Sequence, residues 1–151
     1  MAAGPADPGA EPPLAPGAGS VIAVVGTDAP LLPQQCTALA RRVTLGLART
    51  GTAGSHFSGD LFLAFSAGNP GAITPGATAL RSDGDRRYDQ LRLIPWGYLD
   101  PFYAAVVQAT EEAVANALVA NEEMTGRDGH RSPALPRDRV AELFRARRLP
   151  R

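Results

Sequence analysis

The sequence predicts an α+β domain. Two short apolar runs, SVIAVVG at residues 20–26 and DLFLAFS at 60–66, have the length, β-branched or aromatic content and glycine boundaries of buried strands. Between them Leu32, Cys36, Leu39, Ala40, Val43 and Leu47 recur at helical spacing. Beyond them Asp100-Pro101 opens an alanine-rich stretch long enough to be the chain's longest helix. The expected order is β-α-β-(β)-α-α.

Residues 1–19 are almost all Ala, Gly and Pro, too poor in large apolar groups to offset the entropy of ordering, and read as a flexible leader. The composition changes at Ser20, where the strand 20–26 and the ordered domain 20–151 begin. Asp28 suits a helix N-cap, and Pro30 and Pro33 suit a first turn, so a helix is expected over 29–48 with Arg41, Arg42 and Arg49 off its apolar stripe. A glycine- and hydroxyl-rich loop over 49–59 leads into the strand 60–66, and Gly, Pro, Ala and Asp make 67–85 a long loop. Residues 91–94 are a short strand candidate. The helix from Asp100 should bury Phe102, Val106, Ala109, Ala113, Ala117 and Ala120 and stop near Met124, before Thr125-Gly126. A loop over 126–136 and a helix over 137–147, with Val140, Leu143 and Phe144 inward, complete the chain.

Composition excludes several functions. The 151 residues carry a formal net charge of +0 with a pI of about 6.7, which lacks the global footprint of a nucleic-acid binder. Every basic side chain is arginine, which excludes Schiff-base chemistry and a Ser-Lys dyad within the chain. One cysteine allows no intrachain disulfide, and two histidines with one distant cysteine do not make a metal site, so no cofactor is expected. No apolar run reaches a membrane span, and the first residues lack the basic and apolar regions of a signal peptide. The expectation is a soluble cytoplasmic protein that meets neither nucleic acid nor membrane.

The feature that carries chemistry is Gly19-Ser20 followed at once by a strand. Here GSVIAVVGTDAPLLPQQ, LARRVTLGLARTG, SGDLFLAFSAGNP, TGRDGHRSPALPRDRVAEL and the Glu-Glu-containing helix resemble the self-processing aminopeptidases that act on L-amino-acid amides and D-amino-acid esters. That family includes the β-peptidyl aminopeptidases, and the resemblance runs over residues 17–149. It implies half of a four-layered α-β-β-α sandwich like that of N-terminal-nucleophile hydrolases. It also implies self-cleavage at the Gly19-Ser20 bond, with Ser20 as the nucleophile of the new N-terminus. The family's Ser-Gly-acid element falls on Ser58-Gly59-Asp60, whose serine and carboxylate would hold the terminal amine. The resemblance further implies a complementary N-terminal subunit that supplies an oxyanion-stabilising asparagine and a tyrosine, and assembly of processed subunit pairs into an oligomer.

These residue types suit that chemistry. A serine hydroxyl needs a base, and a freed α-amine with a pKa of about 7.7–8.0 is one near neutral pH. Ser58 could relay the proton, and Asp60 could hold the amine of Ser20 or the ammonium of a peptide or amino-acid amide or ester substrate. Other readings stand beside this one. The chain could be a non-catalytic fragment or assembly subunit, or a related self-processing acyltransferase, against which Ser20 argues because those enzymes use threonine at the junction. Thr27 and Asp28 read as a helix cap, His56 and His130 as loop residues, Cys36 as core, Glu111, Glu112, Glu122 and Glu123 as a solvated helix face, and Trp96, Tyr98, Phe102 and Tyr103 as a packing cluster.

Overall fold

The computed structural model describes residues 19–72 and 90–147. The leader expected over 1–19, apart from Gly19, and residues 73–85 of the expected long loop lie outside the described residues. The elements are β1 (Ile22–Thr27), α1 (Pro33–Ala40), α2 (Val43–Arg49), β2 (Leu61–Ser66), α3 (Asp100–Ala120), the two-residue strands β3 (Met124–Thr125) and β4 (Arg131–Ser132), and α4 (Arg137–Ala146). The class is α+β, as expected.

β1 and β2 form a two-stranded parallel sheet, in register from Ile22 opposite Leu61 to Thr27 opposite Ser66. The strands are buried on one face only, contrary to expectation. Ala23, Val25, Phe62 and Ala64 pack toward the helices, while Ile22, Val24, Leu61, Leu63 and Phe65 are exposed on the opposite face. The reason is that successive strand residues point to opposite faces and the helices cover just one of them.

The single helix expected over 29–48 is two helices. Asp28 does not cap it: Leu32 occupies the N-cap of α1, and Gln35 accepts the Leu32 N–H through Oε1 at 2.9 Å. Arg41 and Arg42 form a turn, and the Arg42 N–H bonds Leu39 O at 2.8 Å. Beyond the turn α2 lies against α3 at Gly46, where an added Cβ would sit 2.5 Å from Thr110 Cβ and 2.7 Å from Val107 O. The Arg42 guanidinium stacks over the Tyr103 ring at 4.1 Å.

No strand forms at 91–94, because other groups take its backbone bonds. Asn69 Oδ1 accepts the Arg92 N–H at 2.8 Å and Asn69 Nδ2 donates to Arg92 O at 3.0 Å. The Ile94 N–H bonds Pro30 O, and the buried Gln35 donates Nε2 to Ile94 O.

α3 takes Leu99 as N-cap, so Asp100 does not cap; it lies in the first turn, where its carboxylate complements the helix dipole. The helix stops at Ala120, earlier than expected, where extended Asn121 donates its side-chain amide to Pro133 O. Its buried residues are Val106 and Thr110, with Phe102, Tyr103 and Val114 half-buried. Ala109, Ala113 and Ala117 do not pack inward; they line an open groove of about 690 Å³ against β1. The loop expected over 126–136 contains β4, which pairs antiparallel with β3 just before it. α4 forms as expected, yet Leu143 and Phe144 are exposed.

The core comprises Leu31, Cys36, Leu39, Val43, Leu47, Leu99 and Val106. Burial pushes the Cys36 thiol above its ordinary range, in keeping with a packing role. Among the described residues no helix is long and apolar enough to cross a membrane.

Candidate active site

Parallel pairing places the entries of β1 and β2 side by side. The register pairs Ile22 with Leu61, and the ladder continues backward through the Leu61 N–H to Val21 O at 2.9 Å. The same offset of 39 residues sets Val21 opposite Asp60 and Ser20 opposite Gly59. Segments far apart in sequence thus meet where the backbone leaves the sheet and side-chain and main-chain donors are unclaimed by the ladder.

Five groups converge there. The Gly59 N–H donates to Ser20 Oγ at 3.0 Å. Asp60 Oδ1 accepts the Val21 N–H at 3.1 Å and the Ser58 hydroxyl at 2.5 Å. Ser58 is half-buried, while Ser20, Gly59 and Asp60 are exposed. The turn before them is fixed by Ser55, whose carbonyl accepts the Ser58 N–H at 2.9 Å and whose Oγ accepts the Phe57 N–H at 3.3 Å. Gly19 has φ +155°, a conformation that residues bearing a Cβ rarely adopt.

The chemical capacity follows from donors and acceptors. Ser20 Oγ receives the Gly59 N–H, which orients it and leaves its own proton available for donation. Ser58 gives its proton to Asp60, so its lone pairs are free to accept one. Asp60 engages one carboxylate oxygen and leaves the other open to a cation. All three side chains singled out in the sequence therefore meet within one hydrogen-bonded cluster. The Gly59 and Val21 amides were not singled out; a backbone donor has no residue signature. His56 lies against Phe57 with ring centroids 3.9 Å apart, and His130 belongs to the β3–β4 turn. Phe102 and Tyr103 pack on the core, whereas Trp96 and Tyr98 are exposed and do not join that cluster.

The family model for Peptidase family S58 matches residues 3–132, a span that includes every group of this cluster. The chain belongs to peptidase family S58. Beta-peptidyl aminopeptidase BapA of Sphingosinicella microcystinivorans is 40% identical to this S58 chain over 137 residues, covering 90% of the chain and 32% of the relative. Among solved structures, the PH0078 protein of Pyrococcus horikoshii OT3 superposes with a TM-score of 0.71 at 34% identity, over 89% of this chain and 35% of its own. The L-aminopeptidase D-Ala-esterase/amidase of Ochrobactrum anthropi gives a TM-score of 0.68 at 34% identity, over 85% and 34%. That last protein is described as a prototype of the serine aminopeptidases with a variant of the Ntn hydrolase fold, and the present chain is similar to a part of it. The chain spans about a third of the length of the curated relatives it matches.

Proposed function

We propose that this chain is the catalytic, C-terminal part of a serine aminopeptidase that cleaves itself between Gly19 and Ser20. The observation that supports this best is the meeting of Ser20, Ser58, Gly59 and Asp60 at the paired strand entries. In self-cleavage Ser20 Oγ attacks the Gly19 carbonyl carbon and its proton passes to the Ser20 nitrogen as the peptide bond breaks. The Ser20 amine is thereby released, and water opens the resulting ester, which frees the Gly19 carboxylate and restores the Ser20 hydroxyl. Residues 1–19 thereby separate from a catalytic domain over 20–151. The positive φ of Gly19 favours the attack, since a residue without Cβ tolerates that backbone and leaves the carbonyl approachable.

The mature site repeats the chemistry on a substrate. The Ser20 amine takes the hydroxyl proton, Oγ attacks the carbonyl of an N-terminal amino-acid amide, ester or peptide bond, and an acyl-enzyme forms. Water then releases the amino acid. Ser58 relays or orients the proton, and the open oxygen of Asp60 receives the Ser20 ammonium or that of the substrate. No cofactor is required. A complementary N-terminal subunit completes the oxyanion site, where a single donor is worth about 10²–10³ in kcat. Processed pairs assemble as an oligomer in the cytoplasm.

Intact-mass measurement of the expressed chain, with Ser20→Ala as control, tests this reading. Loss of residues 1–19 in the parent alone, followed by activity on amino-acid p-nitroanilides, is the expected result. The second reading, a non-catalytic assembly subunit, is favoured by the solvent-open site. It prevails if the parent stays uncleaved even with an N-terminal subunit supplied.

A further inference from the structure

The stretch between α2 and β2 reaches the site through one turn. Ser55 begins it: its carbonyl accepts the Ser58 N–H at 2.9 Å, and its Oγ accepts the Phe57 N–H at 3.3 Å. The first bond closes a four-residue turn, and the second is the local bond by which a serine side chain stiffens such a turn. Ser55 and Ser58, the two ends, are half-buried, while His56 and Phe57 at the tip are exposed. Upstream the chain gives the turn little support. A Cβ added at Gly51 or Gly54 would meet nothing within 4 Å. The bonds there are local, from the Gly51 N–H to Ala48 O and from the Gly54 N–H to Thr52 Oγ1, each at 3.1 Å. Downstream the turn runs straight into the chemistry, because its last residue is Ser58, whose hydroxyl donates to Asp60 Oδ1 at 2.5 Å.

We propose that Ser55 is a positioning residue for the reaction at Ser20 and acts through the hydroxyl of Ser58. The role lies outside the catalytic assignments, and it rests on the reading of Ser58 as the proton relay. Ser55 holds two consecutive amides, those of Phe57 and Ser58, whose Cα atoms lie only about 3.8 Å apart. Loosening the first therefore shifts the second, and with it the Ser58 hydroxyl above Asp60. Misplacement of a reacting group by about 1 Å can cost about 10²-fold in rate. Among the described residues Ser55 makes no hydrogen bond to Ser20 or Asp60, so its influence has to pass through the backbone of Ser58. One of the two bonds depends on the Ser55 side chain. Its loss should cost what one neutral hydrogen bond contributes, about three- to tenfold in rate.

Timed intact-mass spectra of the full chain, alongside amide hydrogen exchange, test it. Ser55→Ala is expected to slow the appearance of the Ser20 terminus about three- to tenfold at an unchanged melting temperature. Ser55→Thr, which keeps the acceptor, should cleave at the parent rate. In a Ser58→Ala chain, followed for longer, the same Ser55→Ala change should cause no further loss, because the group it positions is gone. The Ser58 amide can still reach Ser55 O in Ser55→Ala, yet it should lose exchange protection there and keep it in Ser55→Thr. Cleavage of Ser55→Ala at the parent rate overturns the proposal. So does an equal further loss in the Ser58→Ala chain, which would make the turn a support of the loop at large, and so does unchanged exchange at the Ser58 amide. A parent that never yields the Ser20 terminus overturns the self-cleavage reading instead. The exchange comparison needs no reaction and still decides whether the Ser55 side chain holds Ser58.

Discussion

Asp60 gathers the Val21 N–H and the Ser58 hydroxyl on a single carboxylate oxygen, so its charge serves both the backbone at the Ser20 junction and the proposed relay. Asp60→Asn retains an oxygen acceptor but removes the charge. Self-cleavage and any aminopeptidase turnover should fall about 10²–10⁴-fold, the usual worth of a positioned acid–base group, while the exposed site leaves thermal stability nearly unchanged. Timed intact-mass spectra alongside a melting curve separate the two effects; a parallel loss of fold would make Asp60 structural. Gly19 gives a second test. Its φ of +155° costs a Cβ-bearing residue about 1–3 kcal/mol if the conformation is to be kept. Gly19→Ala should therefore slow the appearance of the Ser20 terminus roughly tenfold, with no change in the rate of a chain already processed. Cleavage at the parent rate would show that the backbone conformation at Gly19 does not matter. At this scale the sequence carried the side chains Ser20, Ser58 and Asp60. It did not carry the Gly59 amide, because the offset that sets Gly59 opposite Ser20 exists only once the two strands have paired.

Among the elements, α2 and α3 approach most closely at Gly46. A side chain there must displace the buried Thr110, whose hydroxyl is bonded to Val106 O at 2.7 Å, or the carbonyl of Val107. Gly46→Val should destabilise the domain by about 1–3 kcal/mol, read as a lower midpoint in urea at unchanged slope. An unaltered midpoint would mean that the two helices separate at little cost. The hairpin makes a pH prediction. The Arg131 hydrogen bond and charge hold the Glu123 carboxyl below its usual range. A lowered folded-state pKa contributes stability above the ordinary carboxylate value and loses it as pH falls through the folded-state value. The pair lies at the surface, so the effect is confined to β3–β4: the Gly126 amide, bonded to His130 O, should lose exchange protection in acid before the α2–α3 amides do. Periodicity found the two strands, α3 and α4, since each depends on a local pattern. It missed the break at Arg41 and Arg42, which serves the contact between Gly46 and Thr110, and it placed a strand at 91–94 where Asn69 and Gln35 take the backbone bonds. Both misses come from partners distant in sequence.

For the whole molecule, the decisive fact is that among the described residues the sheet has two strands and one covered face. Ile22, Val24, Leu61, Leu63 and Phe65 form one exposed apolar face, of the kind that marks an interaction surface. Among the described residues both strand edges are open as well. On β1 the bonds from Leu61 to Val21 and from Ala67 to Thr27 assign the odd-numbered residues to β2, so Ile22, Val24 and Gly26 direct their main-chain groups toward the alanine-lined groove beneath α3. The apolar strands and the small residues of α3 were readable in the sequence, but their exposure was not, because a pattern shows which residues avoid water and not whether a cover is present. The relatives are about three times as long as the matched region, and the proposed N-terminal subunit is the natural cover. The chain alone should bind an apolar fluorescent dye strongly and unfold with weak cooperativity. Co-expression with the N-terminal two-thirds of an S58 relative should abolish dye binding, raise the melting temperature and accelerate cleavage at Gly19-Ser20 together. If dye binding fell but cleavage did not rise, the added chain would be covering the sheet without completing the site, and the non-catalytic reading would follow. If neither changed, the open face would have to be covered by something other than that subunit.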